Sequence, residues 1–325
     1  MNKPQTIRWL IAHEPVALFL RTAEAFSSKL DEITGGKFKV EVFTPTQYLD
    51  KIGFTGSSVV FSRDSDGPMI EMDKGEIEMS QLHITEIARF HNPDFFALEM
   101  PFLFRDHDHA ATVFEGPIGK GLLNSLVDSS PAKGLAFTYS GGFRCIATEG
   151  QVNSLSELQG KKFATGMNPV TVDTVNAIGA VADPFPIADH ARKFVQEGYQ
   201  TEAVETTIPR YLAQFKDSTK RNLLNTKHSL FLTTIIISNK FWASLDTNTQ
   251  DAFQEASLHA SRLERKWSVD DAENFAAQED HSDIGVTYSE LSDVETTKFK
   301  ELTAPLYNKY KDYFYPGLID GIIKS

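Results

Sequence analysis

The chain contains 325 residues, of which 41% are hydrophobic and 23% are charged, a composition typical of an ordinary globular protein with room for two domains. The formal net charge of −12 argues against binding to nucleic acid or to an anionic membrane surface, because both require basic patches. The single cysteine, Cys145, excludes a disulfide framework and a multi-cysteine zinc site, and its apolar flanks predict a small buried side chain.

The N-terminal part of the chain predicts a β-α-β unit. Residues Thr6–Ala12 form a short apolar strand, and Lys37–Phe43 alternates polar and apolar residues like a half-buried strand. The stretch between them ends at Gly35, and its apolar residues recur at helical spacing: Phe19, Ala23, Phe26 and Leu30. Two strands joined by a helix are the unit of a sheet with crossover helices.

The middle of the chain continues this alternation. Gly141 and Gly142 lie between two strand-like runs and predict a hinge, because glycine tolerates large changes of backbone angle. Ser154 and Glu157 have the spacing of a capping box at the start of a short helix. The run Ser229–Asn239 is rich in β-branched residues and gives the strongest strand signal in the chain.

A long helix is predicted near the C-terminus. Thr247 and Gln250 have capping-box spacing at its start. One face is apolar over several turns: Phe253, Ala256, Ala260, Leu263 and Trp267. A helix of this length is long enough to run along two domains.

Two segments contain residues that could perform chemistry. His83 and Glu86 are one helical turn apart, which suits metal ligands or an acid–base pair as well as a partly exposed helix end. Arg105–Ala110 contains two aspartates and two histidines, which favour a solvated loop before a helix, with an aspartate cap and exposed histidines, over a metal site. The sequence contains no nucleophile elbow, P-loop or dinucleotide fingerprint, so an enzyme has little support.

A set of motifs occurs in a fixed order along most of the chain: GGKFKVEVF, KGEIEM, LEMPFLFRDHDHA, VNSLSELQGKKFA, IGA, TKHSL and ISNKFWASL. In this order they resemble the DctP-like family, the extracytoplasmic solute-binding subunits of tripartite ATP-independent periplasmic transporters. The resemblance runs from about Ile7 to the end of the long helix.

The resemblance implies an α/β fold of two lobes, a type II-like periplasmic binding protein with a long helix bracing both lobes. It places residues 1–138 plus about 229–268 in the first lobe and about 139–228 plus 269–325 in the second, with the ligand cleft between them. The implied protein is not an enzyme, needs no cofactor or metal, and works in the periplasm as a monomer. Its partners are a small-molecule ligand and the membrane permease subunits, not nucleic acid, and we expect that a leader has been removed.

The resemblance also implies where the ligand binds. Family members carry an arginine that pairs with a ligand carboxylate, but Ala164 stands at that position and Gly150 at the place of a second arginine. The residues that the resemblance implies as ligand contacts are His13, Glu14, either His83 or Glu86, Asn168 and Glu205. Tyr139 and Phe231 are candidates because they lie at strand ends, where open sheets bind ligands. Arg144 is included as the nearest remaining guanidinium, although its position looks more structural in the family.

Loss of these arginines and retention of glutamates predict a ligand that carries a positive charge, because a buried carboxylate without a partner is costly. Phe231 and Tyr139 would add cation–π contacts. We therefore expect a small amine or amino alcohol, similar to ethanolamine or choline. Two alternatives stay open for the function. In the first, the protein is still a solute-binding protein, but its ligand is an organic acid held by Arg144 and Arg89, or a zwitterionic osmolyte. In the second, it is a metal-dependent hydrolase that uses His83 and Glu86.

Overall fold

The computed structural model describes residues 3–12, 15–53, 66–185, 200–215 and 218–325. The chain divides into two compact units, each assembled from three segments. The first unit comprises Met1–Asn92, Phe114–Tyr139 and Leu232–Trp267, and the second comprises Pro93–Val113, Ser140–Phe231 and Ser268–Ser325.

The first unit contains a five-stranded sheet of order β2-β1-β3-β10-β4. Its strands are β1 (Gln5–Ile11), β2 (Phe38–Phe43), β3 (Met79–His83), β4 (Ala132–Phe143) and β10 (Leu230–Ser238), of which β4 and β10 continue into the second unit. The helices are α1 (Val16–Thr34), α2 (Pro45–Lys51), α3 (Gly67–Lys74), α4 (Ile84–Phe90), α6 (Pro117–Ser129) and α9 (Asn239–Ala243). Strand β1 is parallel to β2 and β3, whereas β10 is antiparallel to β3.

The predicted β-α-β opening is confirmed in β1, α1 and β2. Helix α1 buries the four apolar residues that define its predicted face, none more than 1% exposed. It ends at Gly35, which adopts the left-handed conformation with φ 62° that glycine reaches without strain. These residues pack with Trp9 and Phe253 in one apolar core, so the helix is fixed by burial of one face.

The second unit contains a six-stranded sheet of order β11-β9-β5-β8-β6-β7. Its strands are β5 (Cys145–Thr148), β6 (Lys162–Thr165), β7 (Val181–Pro184), β8 (Ala203–Thr206), β9 (Asn222–Asn225) and β11 (Thr287–Glu290). Its helices are α7 (Pro169–Ala177), α8 (Ile208–Gln214), α11 (Asp293–Tyr310) and α12 (Leu318–Lys324), with 3₁₀ turns at Pro93–Glu99, Leu155–Leu158 and Ser282–Ile284. Helix α5 (His107–Glu115) begins in this unit and ends in the first.

Two apolar clusters form the core of the second unit. One includes Phe163 and Leu224, and the other includes Val204 and Tyr211. Cys145 lies in the second cluster, fully buried, and burial raises the pKa of its thiol well above the usual value. The prediction of a small, buried cysteine side chain is therefore confirmed.

The long helix is α10, Thr247–Ala276, with 30 residues. Its predicted start is confirmed, but the predicted capping residue is wrong. Asp246 caps the helix instead: its Oδ1 accepts the backbone N–H of Thr249 at 2.9 Å. Residues of α10 up to Trp267 belong to the first unit and those from Ser268 to the second.

The predicted lobe boundaries stay a prediction, and the contact-based units differ from them in residues 93–113. These residues pack with the second unit. Glu99 contacts Arg144, and the ring of Phe102 packs edge-on against Phe299 at 5.3 Å between centroids. Such contacts join positions far apart in the chain, so no local pattern reveals them.

Candidate functional site

One edge of the second sheet collects the polar residues of this unit. Strands β6 and β8 are parallel, β5 is antiparallel to β8, and β9 is antiparallel to β5. The C-terminal ends of β6, β8 and β9 therefore lie at the same edge as the N-terminal end of β5. Ligands of open α/β sheets bind at the carboxyl ends of parallel strands, so this edge is the candidate site in the second unit.

Seven side chains at or next to this edge form what we call the edge cluster. None of them is more than 5% exposed. The members are Glu99, Arg144, Asn168, Glu205, Arg210, His228 and Phe231. A buried cluster with this many charges must be internally paired to be tolerated.

Arg144 is the central cation of the edge cluster. It precedes β5, and its backbone N–H donates to the carbonyl of Ser229 at 2.8 Å. Its Nη2 donates to Glu99, and its Nη1 lies 3.3 Å from Oε2 of Glu205. One guanidinium thus donates charge-assisted hydrogen bonds to two carboxylates, which lowers the cost of burying all three.

Asn168 and His228 extend these pairs. Asn168 follows β6 and caps α7, since its Oδ1 accepts the N–H of Val170 at 2.8 Å while its Nδ2 donates to Glu99. His228 hydrogen-bonds through Nε2 to Oε1 of Glu205 at 2.8 Å and through Nδ1 to the Thr226 hydroxyl at 2.7 Å. Both oxygens of Glu205 and both ring nitrogens of His228 therefore have protein partners.

Phe231 provides an aromatic surface to two cations. The guanidinium carbon of Arg144 lies 4.0 Å from its ring centroid, and that of Arg210 lies 4.8 Å away. Arg210 lies in the first turn of α8, and its Nη2 donates to the side-chain oxygen of Gln214 at 2.8 Å. Helix α8 is capped by Thr207, whose hydroxyl also donates to the carbonyl of Ser140 at 2.6 Å.

The carboxyl edge of the first sheet holds the other predicted residues. His83 ends β3 and is 2% exposed, opposite Thr233 of β10. Tyr139 of β4 is 1% exposed, and its backbone N–H donates to Oε2 of Glu264 at 2.7 Å. Nearby, the amide of Gln81 donates to the hydroxyls of Thr138 at 2.8 Å and Thr233 at 3.2 Å. This edge is rich in hydroxyl, amide and imidazole groups.

Glu86 pairs with an arginine of its own helix. It lies in the first turn of α4, and its Oε2 is 2.9 Å from Nη1 of Arg89 one turn later. Arg89 also lies over the ring of Phe90. The carboxylate of Glu86 and the guanidinium of Arg89 therefore neutralise each other.

The structure thus brings four of the predicted ligand-binding residues into one cluster in the second unit, namely Arg144, Asn168, Glu205 and Phe231. It places His83, Glu86 and Tyr139 in the first unit, whereas His13 and Glu14 lie outside the described residues. Whether these residues contact the ligand stays a prediction.

Sequence reasoning missed three members of the edge cluster: Glu99, Arg210 and His228. Each is a polar residue in an apolar run, in FFALEMPFLF, TTIPRYLAQF and TKHSLFLTT. A polar or charged residue in such a run is buried with its neighbours and therefore needs a partner. This pattern could have indicated from the sequence that these residues belong to a buried polar cluster.

The amine prediction is not supported by the glutamates that the structure describes. It required Glu205, with Glu86 or Glu14, to lie buried without a cation, and Glu14 lies outside the described residues. Glu205 instead pairs with Arg144 and His228, and Glu86 pairs with Arg89. The aromatic face of Phe231 is occupied by protein guanidiniums, so it also needs no ammonium ligand.

The segment Arg105–Ala110, at the start of α5, has a structural role. Oδ1 of Asp106 accepts the N–H of His109 at 2.7 Å, which confirms the predicted aspartate cap. The predicted exposure of the histidines is wrong for His109, which is 4% exposed and hydrogen-bonds through Nε2 to the carbonyl of Ile322 at 2.8 Å. In the described ranges, no three or more His, Cys, Asp or Glu side chains group so as to hold a metal ion.

Comparison with known proteins identifies the family. The model of the DctP family, bacterial extracellular solute-binding protein family 7, matches residues 14–312. The chain belongs to this family. A solute-binding protein of Verminephrobacter eiseniae is 25% identical over 312 residues, which are 96% of this chain and 85% of the relative. The C4-dicarboxylate-binding periplasmic protein DctP of Rhodobacter capsulatus is 22% identical over 87% of this chain and 76% of its own length.

The sugar acid binding protein DctPAm of Advenella mimigardefordensis, solved with galactonate, has the same fold. Its TM-score is 0.83 at 21% identity, and the match covers 100% of this chain and 98% of that one. The predicted two-lobed α/β fold with a long helix is therefore confirmed.

This solute-binding protein is not an enzyme, which removes the hydrolase alternative. It is a periplasmic protein that binds a small molecule and delivers it to the membrane permease subunits of its transporter. In the part of the chain that the structure describes, none of the helices has the length and apolar character of a membrane span. The monomeric state stays a prediction.

Proposed function

We propose that this protein captures a small organic acid and delivers it to the permease of a tripartite ATP-independent periplasmic transporter. The observation that carries the proposal is the internal neutralisation of the edge cluster. Glu99 and Glu205 are paired with Arg144, and Arg210 lies beside the same aromatic ring. A cluster with its carboxylates already paired does not call for an ammonium ligand, which removes the ground on which an amine was preferred to an organic acid.

The relatives support the same class of ligand. The protein of Rhodobacter capsulatus is described as binding C4-dicarboxylates, and the structure from Advenella mimigardefordensis contains galactonate. Both ligands are organic acids. They favour the organic-acid alternative over the ethanolamine- or choline-like ligand predicted from the sequence.

Isothermal titration calorimetry tests the proposal. The protein is unfolded and refolded to remove any retained ligand, and is then titrated with succinate, galactonate, ethanolamine, choline and glycine betaine. We expect an organic acid to bind, and at a concentration of about 100 times its Kd to raise the free energy of unfolding by about 2.7 kcal/mol.

Native mass spectrometry of the protein before refolding provides an independent reading. A retained molecule whose mass and fragmentation match an organic acid would support the proposal. Binding of ethanolamine, choline or betaine, together with no binding of the acids, would overturn it.

A further inference from the structure

Side chains of α10 bond to the backbone of β4, which is the last strand in the order of the described five-stranded sheet. Nε2 of Gln254 donates to the carbonyl of Leu135 at 2.8 Å, and Nη1 of Arg265 donates to the carbonyl of Phe137 at 3.0 Å. These bonds hold the helix beside the strand at two points, so the space between the two elements has a defined shape.

A cavity of about 310 Å³ lies along this part of β4, and all of its lining residues belong to the first unit. Its apolar walls include Phe114 and Phe137, whose ring centroids are 5.0 Å apart, together with Leu123 of α6 and Leu258 of α10. The volume is at the lower end of the range for small-molecule sites. The residues described above at the carboxyl edge of this sheet do not line it, so it is a separate feature.

The charged side chains that line the cavity are Glu115, Lys120 and Arg265. Arg262 and Arg265 donate to Glu115, and these bonds hold the pKa of its carboxyl below the usual value. Lys120, in contrast, is exposed and forms no ion pair with the residues that the structure describes. The lining therefore offers one unpaired positive charge, while its carboxylate is already satisfied.

The helix α6 places this charge beside the apolar wall. Lys120, Leu123 and Asn124 lie at positions i, i+3 and i+4, so they share one face of the helix. Oδ1 of Asn124 accepts a hydrogen bond from Nζ of Lys133 at 2.6 Å, which adds a second ammonium near the same face. An apolar cavity with ammonium groups on one side complements a molecule that has an apolar body and an acid group.

We propose that this cavity is a second binding site, which takes a small amphipathic anion with its acid group beside Lys120 and its apolar body between α6, α10 and β4. Burial of the hydrocarbon body provides the affinity, and Lys120 selects the negative head group. The inference does not rest on the proposed function. Succinate and galactonate carry acid groups without an apolar body, so they do not match this lining.

Matched probes and matched variants test the inference by isothermal titration calorimetry. Octanoate, octanamide and octylammonium share one hydrocarbon chain and carry a negative, a neutral and a positive head group. The octanoate titration is repeated in the presence of excess succinate and galactonate. The variants are Lys120→Met, which removes the charge, and Leu258→Trp, which fills the cavity. Lys39→Met is the control, because Lys39 is an exposed lysine on β2 of the same unit that does not line the cavity.

In the wild-type protein, we expect octanoate to bind more tightly than octanamide and octylammonium. Lys120→Met should weaken octanoate by about 3- to 5-fold, the effect of losing an exposed ion pair, and should leave octanamide unchanged. Leu258→Trp should weaken octanoate by about 10-fold or more, because the larger side chain occupies the space that the hydrocarbon chain needs. Lys39→Met should bind octanoate like the wild type.

Three results would overturn the inference: no binding of octanoate, equal affinity of the wild type and Lys120→Met for octanoate, or displacement of octanoate by succinate or galactonate. Displacement would place octanoate at the site of the organic acid. None of these results decides the proposed function, which depends on binding of the organic acids themselves. Circular dichroism establishes that each variant is folded, and if Leu258→Trp does not fold, Lys120→Met carries the test.

Discussion

At the scale of single residues, Arg144 is the cation on which the burial of two glutamates depends. Arg144→Met would leave Glu99 and Glu205 buried without their common partner. Because an uncompensated buried charge is strongly unfavourable, we expect the free energy of unfolding to fall by about 3 to 5 kcal/mol at neutral pH, measured by urea denaturation.

The matched control for this change is Arg262→Met. Arg262 also pairs with a glutamate, Glu115, but its side chain is 61% exposed, so its loss should cost less than about 1 kcal/mol. The triple variant Glu99→Gln, Arg144→Met, Glu205→Gln should recover part of the loss, because the uncompensated charges are gone. Equal effects of the two arginine variants would contradict the assignment of Arg144 as the central cation.

His107 is a second residue whose burial has a measurable consequence. Its ring packs on Phe143 with 4.8 Å between centroids, and burial lowers the pKa of His107 to about 4. Asp106 and Asp108 oppose the decrease, and Lys227 adds to it. The unfolded chain therefore binds more protons than the folded protein between about pH 6.5 and pH 4, so stability falls as the pH decreases through this window.

Between pH 7.5 and pH 4.5, we expect the free energy of unfolding to fall by about 2 to 3 kcal/mol less in His107→Gln than in the wild type, because glutamine does not titrate. Urea unfolding of both proteins at the two pH values measures it. Other groups also titrate in this range, but they are common to both proteins and cancel in the difference. Parallel decreases in wild type and variant would show that His107 is not the group responsible.

These residues mark the limit of what the sequence could predict at this scale. Arg144 and Glu205 were recognised as members of the site, but their ion pair was not. The partners are separated by 61 residues, and Glu99 is separated from Arg144 by 45. No periodicity connects such positions, so the ion pairs of the cluster could be obtained only from the fold. Because the sequence did not reveal these pairs, the glutamates were taken to need a cationic ligand, and an amine was predicted.

At the scale of elements, the C-terminal end of β4 depends on Gly141. Its φ is 95°, and an added Cβ would lie 2.4 Å from Oγ1 of Thr207, the residue that caps α8. Gly142 has a similar φ of 84°, but its added Cβ would lie 3.6 Å from the nearest atom, on His107. Comparison of alanine substitutions at these two positions therefore separates the cost of the unfavourable φ from the cost of steric overlap.

We expect Gly142→Ala to cost about 1 kcal/mol for the unfavourable φ, and Gly141→Ala about 2 to 4 kcal/mol, because overlap with Thr207 adds to it. Urea denaturation of both variants gives the comparison. Addition of Thr207→Ala to Gly141→Ala should relieve the overlap with Oγ1, but not the φ cost or the approach of the added Cβ to Cδ of Pro209 at 2.9 Å. If the two glycine variants are equally stable, steric overlap plays no part here.

Local patterns predicted elements well where an element buries its own face. The four residues at helical spacing in α1 are all buried, and the capping box of Ser154 and Glu157 is present. The predictions were wrong where neighbouring polar residues compete for one role, as Asp246 and Thr247 do at the start of α10. The choice between adjacent caps depends on backbone angles set by packing, which the sequence does not display.

At the scale of the whole molecule, the formal net charge of −12 acts on every ligand that approaches from solution. An organic anion is repelled by this charge, and salt screens the repulsion over a Debye length of about 10 Å at 0.1 M. We therefore expect the association rate constant of a monocarboxylate to rise several-fold with ionic strength, and that of a dicarboxylate to rise more steeply. A cationic ligand would show the opposite sign.

Stopped-flow fluorescence can measure these rates, because the chain contains three tryptophans. The ionic strength is varied from about 10 mM to about 300 mM, a range over which the Debye length shortens from about 30 Å to less than 8 Å. Parallel series in sodium fluoride and sodium chloride separate screening from competition by chloride for the ligand site. The dissociation rate should change little, because it depends on short-range contacts between the protein and its bound ligand. A fall in the association rate of the acid with salt would mean that positive charge near the site, not the net charge of the molecule, governs capture.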